Sequence, residues 1–348
     1  MTSNLEFSDF LNSFYIYIDC REFISHFVQL AMRISRSVAL CVFPFAALLL
    51  AAGSSPAPTP ALPPNFTQGI ITTRVSLPGN PYDKLLSQID PAKGNVQGQM
   101  QQLALRMTPA EQQQFQAEAA RLSPALAMGA MMLPRKGTIY CRGQEARVST
   151  DGLSYHLENY FDSAKNAGIL LLASQTSPER VAYTYNAATM KTRWQSIVVA
   201  EKDYTLKTSP ETTLVAGYPS QKTTYTLKPG AGTPVPDEAG SMSQKPVALE
   251  VWTSAQIPQM LNFAHPVYVQ QQHGITRLLV YFDKERRQKL LYEFTGVQLK
   301  PVSAQDLKIN TSTPLLDYAK DELQIGMKSL AIMLGGGPGS PAKPSTDD

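Results

Sequence analysis

Cysteine, histidine and charge are all scarce in this 348-residue chain. It has three cysteines, four histidines and two tryptophans, and charged residues make up 17% of it, against the usual ~25%. Only Cys141 lies beyond residue 53, and a single cysteine cannot close an internal disulfide. Cys141 stands in the strand-like run GTIYCRG and reads as a small buried hydrophobe. A reactive thiol would want a histidine or a helix N-terminus beside it, and the sequence brings neither. His156, His265 and His273 make no HxxH or HExxH pattern and stand apart from any cysteine or carboxylate cluster, so no metal site is read. There is no GxSxG. Gly230 and Gly232 lead into Thr-Pro-Val-Pro and not into a helix, so they cradle no phosphate. Asp151, Glu158 and Asp162 are too scattered along the chain to suggest a carboxylate pair. Together these absences argue against an enzyme, a cofactor or a catalytic residue. Residues 1–53 hold three basic and four acidic side chains, which leaves 28 basic and 24 acidic, a net of +4. That balance is too mild to point to nucleic acid.

What is present begins at Met32. Arg33 and Arg36 precede an apolar run from Val38 to Ala52, and Ala51 and Gly53 offer the small residues of a cleavage site. This reads as a secretory signal peptide over 32–53, cleaved near Gly53. The run is shorter than the ~20 apolar residues of a membrane-spanning helix, so no stable transmembrane span is expected after processing. Residues 1–31 are then expected to be a non-native upstream extension, with Met32 as the true initiator. Ser54 stands where a lipoprotein would need cysteine. The mature protein is expected in the periplasm or the medium, without a lipid anchor. Residues 54–65 form a Pro-rich tether, and 335–348 a low-complexity, disordered tail.

Between them the pattern is mainly β. Phe66 to Leu77 alternates, with Ile71, Thr73, Val75 and Leu77 on one side. Further strands are expected at Gly137–Gly143, Glu145–Ser149, Leu153–Phe161, Ile169–Ser174, Arg180–Tyr185, Arg193–Val199, Tyr204–Lys207, Gln221–Lys228, Val247–Thr253, Ile275–Asp283 and Leu290–Leu299. About nine to twelve short strands at this spacing predict a curved antiparallel sheet or open half-barrel over 66–312. A helical insertion, 83–133, interrupts it. Val96, Met100, Leu103 and Met107 recur at helical spacing there, and Thr108-Pro-Ala-Glu111 is a capping box with proline at the first helical position. A C-terminal helix is expected over 313–334, with Leu316, Ala319, Leu323, Met327, Leu330 and Leu334 as its apolar stripe.

The stretch from Leu214 to Ser254 contains VAGYPSQKTTYTL, a Pro/Gly-rich loop and ALEVWTS. In the second run Val247, Leu249 and Val251 fall on one face, and Ala248, Glu250 and Trp252 on the other. This stretch resembles a bacterial envelope family designated a domain of unknown function, which is similar in turn to the LolA-like superfamily of periplasmic lipoprotein carriers. The resemblance covers roughly residues 65–310 apart from the insertion. It implies a half-barrel closed by helices over an apolar cavity, and a carrier for a lipid, acyl chain or other hydrophobic ligand. Trp252 is the candidate for the cavity wall, although which sheet face is concave stays open. Met100, Met107, Met128, Met131 and Met132 are candidates for an adaptable cover, and Arg147 for a rim cation facing a lipid head group. The alternative is an envelope interaction protein with a filled core, docking an envelope protein partner through its added helices. A cavity of several hundred Å³ marks a ligand site, whereas a filled core leaves voids no larger than a water molecule.

Overall fold

The computed structural model describes residues 63–90, 93, 96–122, 130, 132–186, 197–231 and 245–333. The expected signal peptide, most of the expected tether and the expected C-terminal tail lie outside them.

Twelve strands form one open sheet, as the spacing predicted. Strand β1 (Gln68–Ser76) lies in mid-sheet and pairs on one side with β2 (Lys136–Arg142). From β2 a meander continues through β3 (Glu145–Asp151), β4 (Tyr155–Asp162), β5 (Ala167–Ser174) and β6 (Arg180–Asn186). Beyond β6 the chain forms β7 (Ile197–Val199) and then the other arm: β8 (Tyr204–Val215), β9 (Tyr218–Leu227), β10 (Ala248–Ser254), then, after β11 (Val267–Val269), β12 (Gly274–Tyr281) and β13 (Lys289–Gln298). Strand β13 returns to the free side of β1. The last strand, β14 (Leu315–Asp317), adds to β6 in parallel. The order is β14–β6–β5–β4–β3–β2–β1–β13–β12–β10–β9–β8, while β7 and β11 pair separately and in parallel. Strand β8 touches β13, four places away in the sheet, so this arm is curled.

Side chains alternate across a strand, so register assigns whole rows to one face. One inner row runs Thr223, Val251, Leu278, Tyr292, Val75; another runs Ile71, Ile139, Val148, Asn159, Leu170, Tyr183. The apolar members are at most 7% exposed. Each such side chain stabilises the fold by roughly 1.5–3 kcal/mol when buried.

An open sheet of this size must be covered on its apolar face, and short pieces do it. Helix α1 (Pro81–Leu86) starts at Asn80, whose Oδ1 accepts the Tyr82 N–H at 2.9 Å. Helix α2 (Val96–Arg106) follows, then α3 (Pro109–Ala119), which begins with the expected capping box between Thr108 and Glu111. Leu86, Val96, Met100 and Leu103 join the inner core, and an ion pair from Arg135 to Asp83 ties the two ends of the insertion together. A 3-10 turn, Gln259–Ala264, lays Ile257, Leu261 and Val267 on the same core.

Residues 299–314 cross the outer face as a strap. Ile309 packs on Leu171 and Ala182, and the Val302 and Asp306 carbonyls accept from Gln68 and Arg147. The strap ends in β14, from which helix α4 (Tyr318–Met333) packs on the inner ends of β5 and β6. Two expectations are corrected here. Residues 315–317 pair as a strand before the helix begins. The buried face of α4 is Ile325 and Ile332, whereas Leu323 and Met327 of the expected stripe are 62% and 49% exposed. The predicted stripe is a good helical repeat, but α4 carries apolar side chains on two faces and its entry from β14 selects the other one. Leu334 lies outside the described residues.

Candidate functional site

At the centre of the inner face, Tyr292 of β13 is 1% exposed, and its hydroxyl has no hydrogen-bond partner among the described residues. Its cross-strand neighbours are Leu278 and Val75. Its ring meets Phe294 edge-on at 6.1 Å and His265 at 5.6 Å. His265 ends the 3-10 turn and is 2% exposed. Burial, offset in part by a hydrogen bond with the Val267 backbone, holds its pKa down at about 4, so the imidazole is neutral at physiological pH. Burial likewise pushes the Tyr292 phenol far above its ordinary value. Elsewhere on the sheet, Tyr185 donates to Asn159 at 2.7 Å, and Ser220 and Thr276 share a hydrogen bond at 2.8 Å.

The wall around Tyr292 is closed in this structure. A crevice of about 300 Å³ opens instead at the sheet edge, lined by Ala167, Thr184, Tyr185, Asn186, Asp317 and Ala319. A smaller one near Asn80 and Arg287 holds about 10 Å³. Neither reaches Tyr292.

The residues singled out from sequence fall in different places. Met100 packs against the inner core, and Met107 and Met132 are half-buried. Met132 also accepts the Tyr155 hydroxyl through its carbonyl. Met128 and Met131 lie outside the described residues. Trp252 is 9% exposed on the outer face, held between Lys222 and Arg277, whose cationic groups lie 5.7 and 5.5 Å from its ring. It is therefore no part of the inner wall, because Leu249 and Val251 take the inward positions of β10. Arg147 is also on the outer face. Its guanidinium donates to the Asp306 carbonyl at 2.9 Å and to Glu158 at 2.5 Å, and lies over the Tyr140 ring. It clasps the strap and faces no rim.

Sequence reading missed one polar cluster. Asp151 and Glu158 looked dispersed, but the β3–β4 hairpin brings both onto His156: Nδ1 to Asp151 at 2.7 Å and Nε2 to Glu158 at 3.3 Å. The turn at Thr150–Gly152 was the available signal. Hydrogen bonds to Asp151 and then Glu158, against burial, push the His156 pKa up to about 9. Burial acts to raise the Glu158 carboxyl, but bonds from His156 and Arg147 outweigh it and leave it lowered. The imidazole is thus protonated at neutral pH and is no general base. Cys141 is fully buried, and burial raises its thiol to about 11, which leaves it unreactive. Among the described residues no group of three or more His, Cys, Asp or Glu side chains could hold a metal ion, and no helix is long and apolar enough to cross a membrane.

No family model and no curated protein matches the sequence. Among solved structures, PNGF-II is similar over 55% of this chain at 13% identity, with a TM-score of 0.27; the chain spans 31% of that protein's length. An outer membrane lipoprotein-sorting protein domain from Vibrio parahaemolyticus is similar over 70% of this chain and 89% of its own, at 8% identity and a TM-score of 0.16. Overlaps this small carry no inference about activity.

Proposed function

We propose that the protein is an exported, non-enzymatic binding protein whose inner face receives an apolar ligand carrying one hydrogen-bonding group, such as an acyl chain with its carboxyl or ester end. The observation that carries this reading is the hydroxyl of Tyr292. A buried hydroxyl without a partner costs about 1–3 kcal/mol, and a wall shaped for packing alone would carry Phe at 292, as it does at 294. A ligand oxygen at that point would satisfy the hydroxyl, with neutral His265 as a second polar group beside it. The cover is made of separable short segments, and the 3-10 turn that ends in His265 is the one lying on Tyr292. Without ligand such a wall closes, because apolar surface left empty forfeits its contacts. Export rests on Arg33, Arg36 and the apolar run before Gly53.

The test is native mass spectrometry of protein purified from the periplasm, with lipid extraction, followed by titration of the delipidated protein with fatty acid. Co-purified acyl species, and weaker binding by Tyr292→Phe at unchanged fold, support the reading. Ligand-free protein that ignores added fatty acid and phospholipid sinks it. A second reading, an envelope interaction protein, is favoured by the closed wall and by Leu323 and Met327, which α4 turns to solvent while Ile325 and Ile332 dock inward. A helix apolar on two faces is suited to burial on both. Its signature would be a protein partner captured by wild type and released by Leu323→Gln with Met327→Gln.

A further inference from the structure

The outer face carries a row of charge that neither the closed core nor the strap uses. In strict register from β9 to β2 stand Lys222, Trp252, Arg277, Glu293, Arg74 and Lys136. The row crosses six adjacent strands, a span of about 24 Å at the usual strand spacing. Four of its six side chains are cationic. The single carboxylate, Glu293, is 8% exposed overall and bonds Arg74 at 2.5 Å and Arg277 at 3.1 Å. It thereby orients both guanidinium groups and leaves the row with a surplus of positive charge. Among the described residues neither Lys136 nor Lys222 forms an ion pair, and Lys222 lies over the Trp252 ring. One strand further on, Asp151 pairs in register with Lys136 and bounds the row.

We propose that this row binds a linear anionic polysaccharide laid across the strands. Charge complementarity fixes the sign of the ligand, and the straight, evenly stepped row favours an extended chain over a compact anion. Hydroxyls flank it on the same face: Thr72, Thr295 and Thr138 on one side, Thr72 and Thr295 sharing a hydrogen bond at 3.0 Å, and Thr224 on the other side, opposite Glu250. These suit sugar hydroxyls. Nucleic acid is disfavoured because single strands need exposed aromatic platforms, and Trp252 is 9% exposed with both cations against its ring. A bilayer is disfavoured because the curled arm presents its outer side as a convex surface. Glu250, two residues from Trp252 on the same face, faces Arg286 at 3.7 Å and so does not cancel the row.

The experiment titrates the full chain with polygalacturonate at rising salt, with neutral dextran, single-stranded DNA and anionic phospholipid vesicles as controls. The expected result is binding to polygalacturonate alone at low ionic strength, weakening linearly with the logarithm of salt. The double variant Lys136→Gln with Lys222→Gln should bind about tenfold or more weakly at low salt, with the slope reduced by about two. Lys136→Arg with Lys222→Arg should bind like wild type. An unchanged melting temperature in both variants ties any loss to the row and not to folding. The proposal is overturned by absence of binding, by equal binding of the Gln variant, or by tighter binding to dextran, DNA or vesicles. Fatty-acid binding at Tyr292 is read separately, so either reading can fail alone.

Discussion

The imidazole of His265 and the ring of Tyr292 lie 5.6 Å apart, both sealed from solvent between the 3-10 turn and the middle of the sheet. Protonating His265 would place an uncompensated charge in this apolar setting, which is why burial lowers its pKa to about 4.

Acid should therefore loosen the fold. The unfolded chain binds a proton at His265 below its ordinary pKa of about 6.5, whereas the folded chain binds it only near 4. Stability from this group is fully present above the unfolded value and is lost as pH falls from 6.5 towards 4, by roughly 3 kcal/mol. Denaturant melts across that window should show a steeper decline for wild type than for His265→Gln. Parallel declines would mean that His265 is not the group responsible.

His156 should act in the opposite direction. Its folded pKa is raised to about 9 by Asp151 and Glu158, so its contribution is complete below about 6.5 and is lost as pH rises through 9. The side chain is one-third exposed, and screening limits the effect to about 1 kcal/mol. NMR titration of the His156 ring should give a midpoint well above that of an ordinary histidine, and Asp151→Asn should bring it down. A midpoint near 6.5 in wild type would refute the pairing.

The fold was legible because its signals are local. Alternation at Ile71, Thr73 and Val75, and at Leu249 and Val251, gave strands and sorted their side chains into two sides. The Thr108–Glu111 box gave a helix start to the residue. Face and neighbour were not local. Nothing near Trp252 says that inward places on β10 belong to Leu249 and Val251, since an aromatic suits either side of a sheet. Tyr292 sits in LLYEFTG as one strand aromatic among many, and its missing partner is visible only once β12, β1 and the 3-10 turn surround it. One ion pair of the outer row, Arg74 with Glu293, joins residues more than 200 positions apart.

Helix α4 offers a direct test of which apolar side is inside. Ile325 and Ile332 are each 2% exposed against β5 and β6. Ile325→Ala should cost about 2–4 kcal/mol through lost contacts and the cavity left behind. Leu323→Gln should stay within about 0.5 kcal/mol, as exposed substitutions do. Chemical denaturation of the two variants distinguishes the faces. The reverse order would show that α4 docks through the Leu323 stripe.

The hydroxyl of Tyr292 makes the sharpest prediction because its sign is unusual. Tyr→Phe in a core generally removes a hydrogen bond and destabilises. Here no partner is lost, and the variant sheds a buried polar atom that folding must desolvate without compensation. Tyr292→Phe should therefore raise the stability of ligand-free protein by about 1 kcal/mol, read as a higher denaturant midpoint at unchanged slope. The gain should vanish when fatty acid is present, since a bound ligand stabilises only the form it prefers. Loss of stability in the ligand-free variant would mean that the hydroxyl is already satisfied in the folded protein. The argument for a ligand on the inner face would then fall with it, because the unpaired oxygen is what distinguishes this wall from a core built only to be packed.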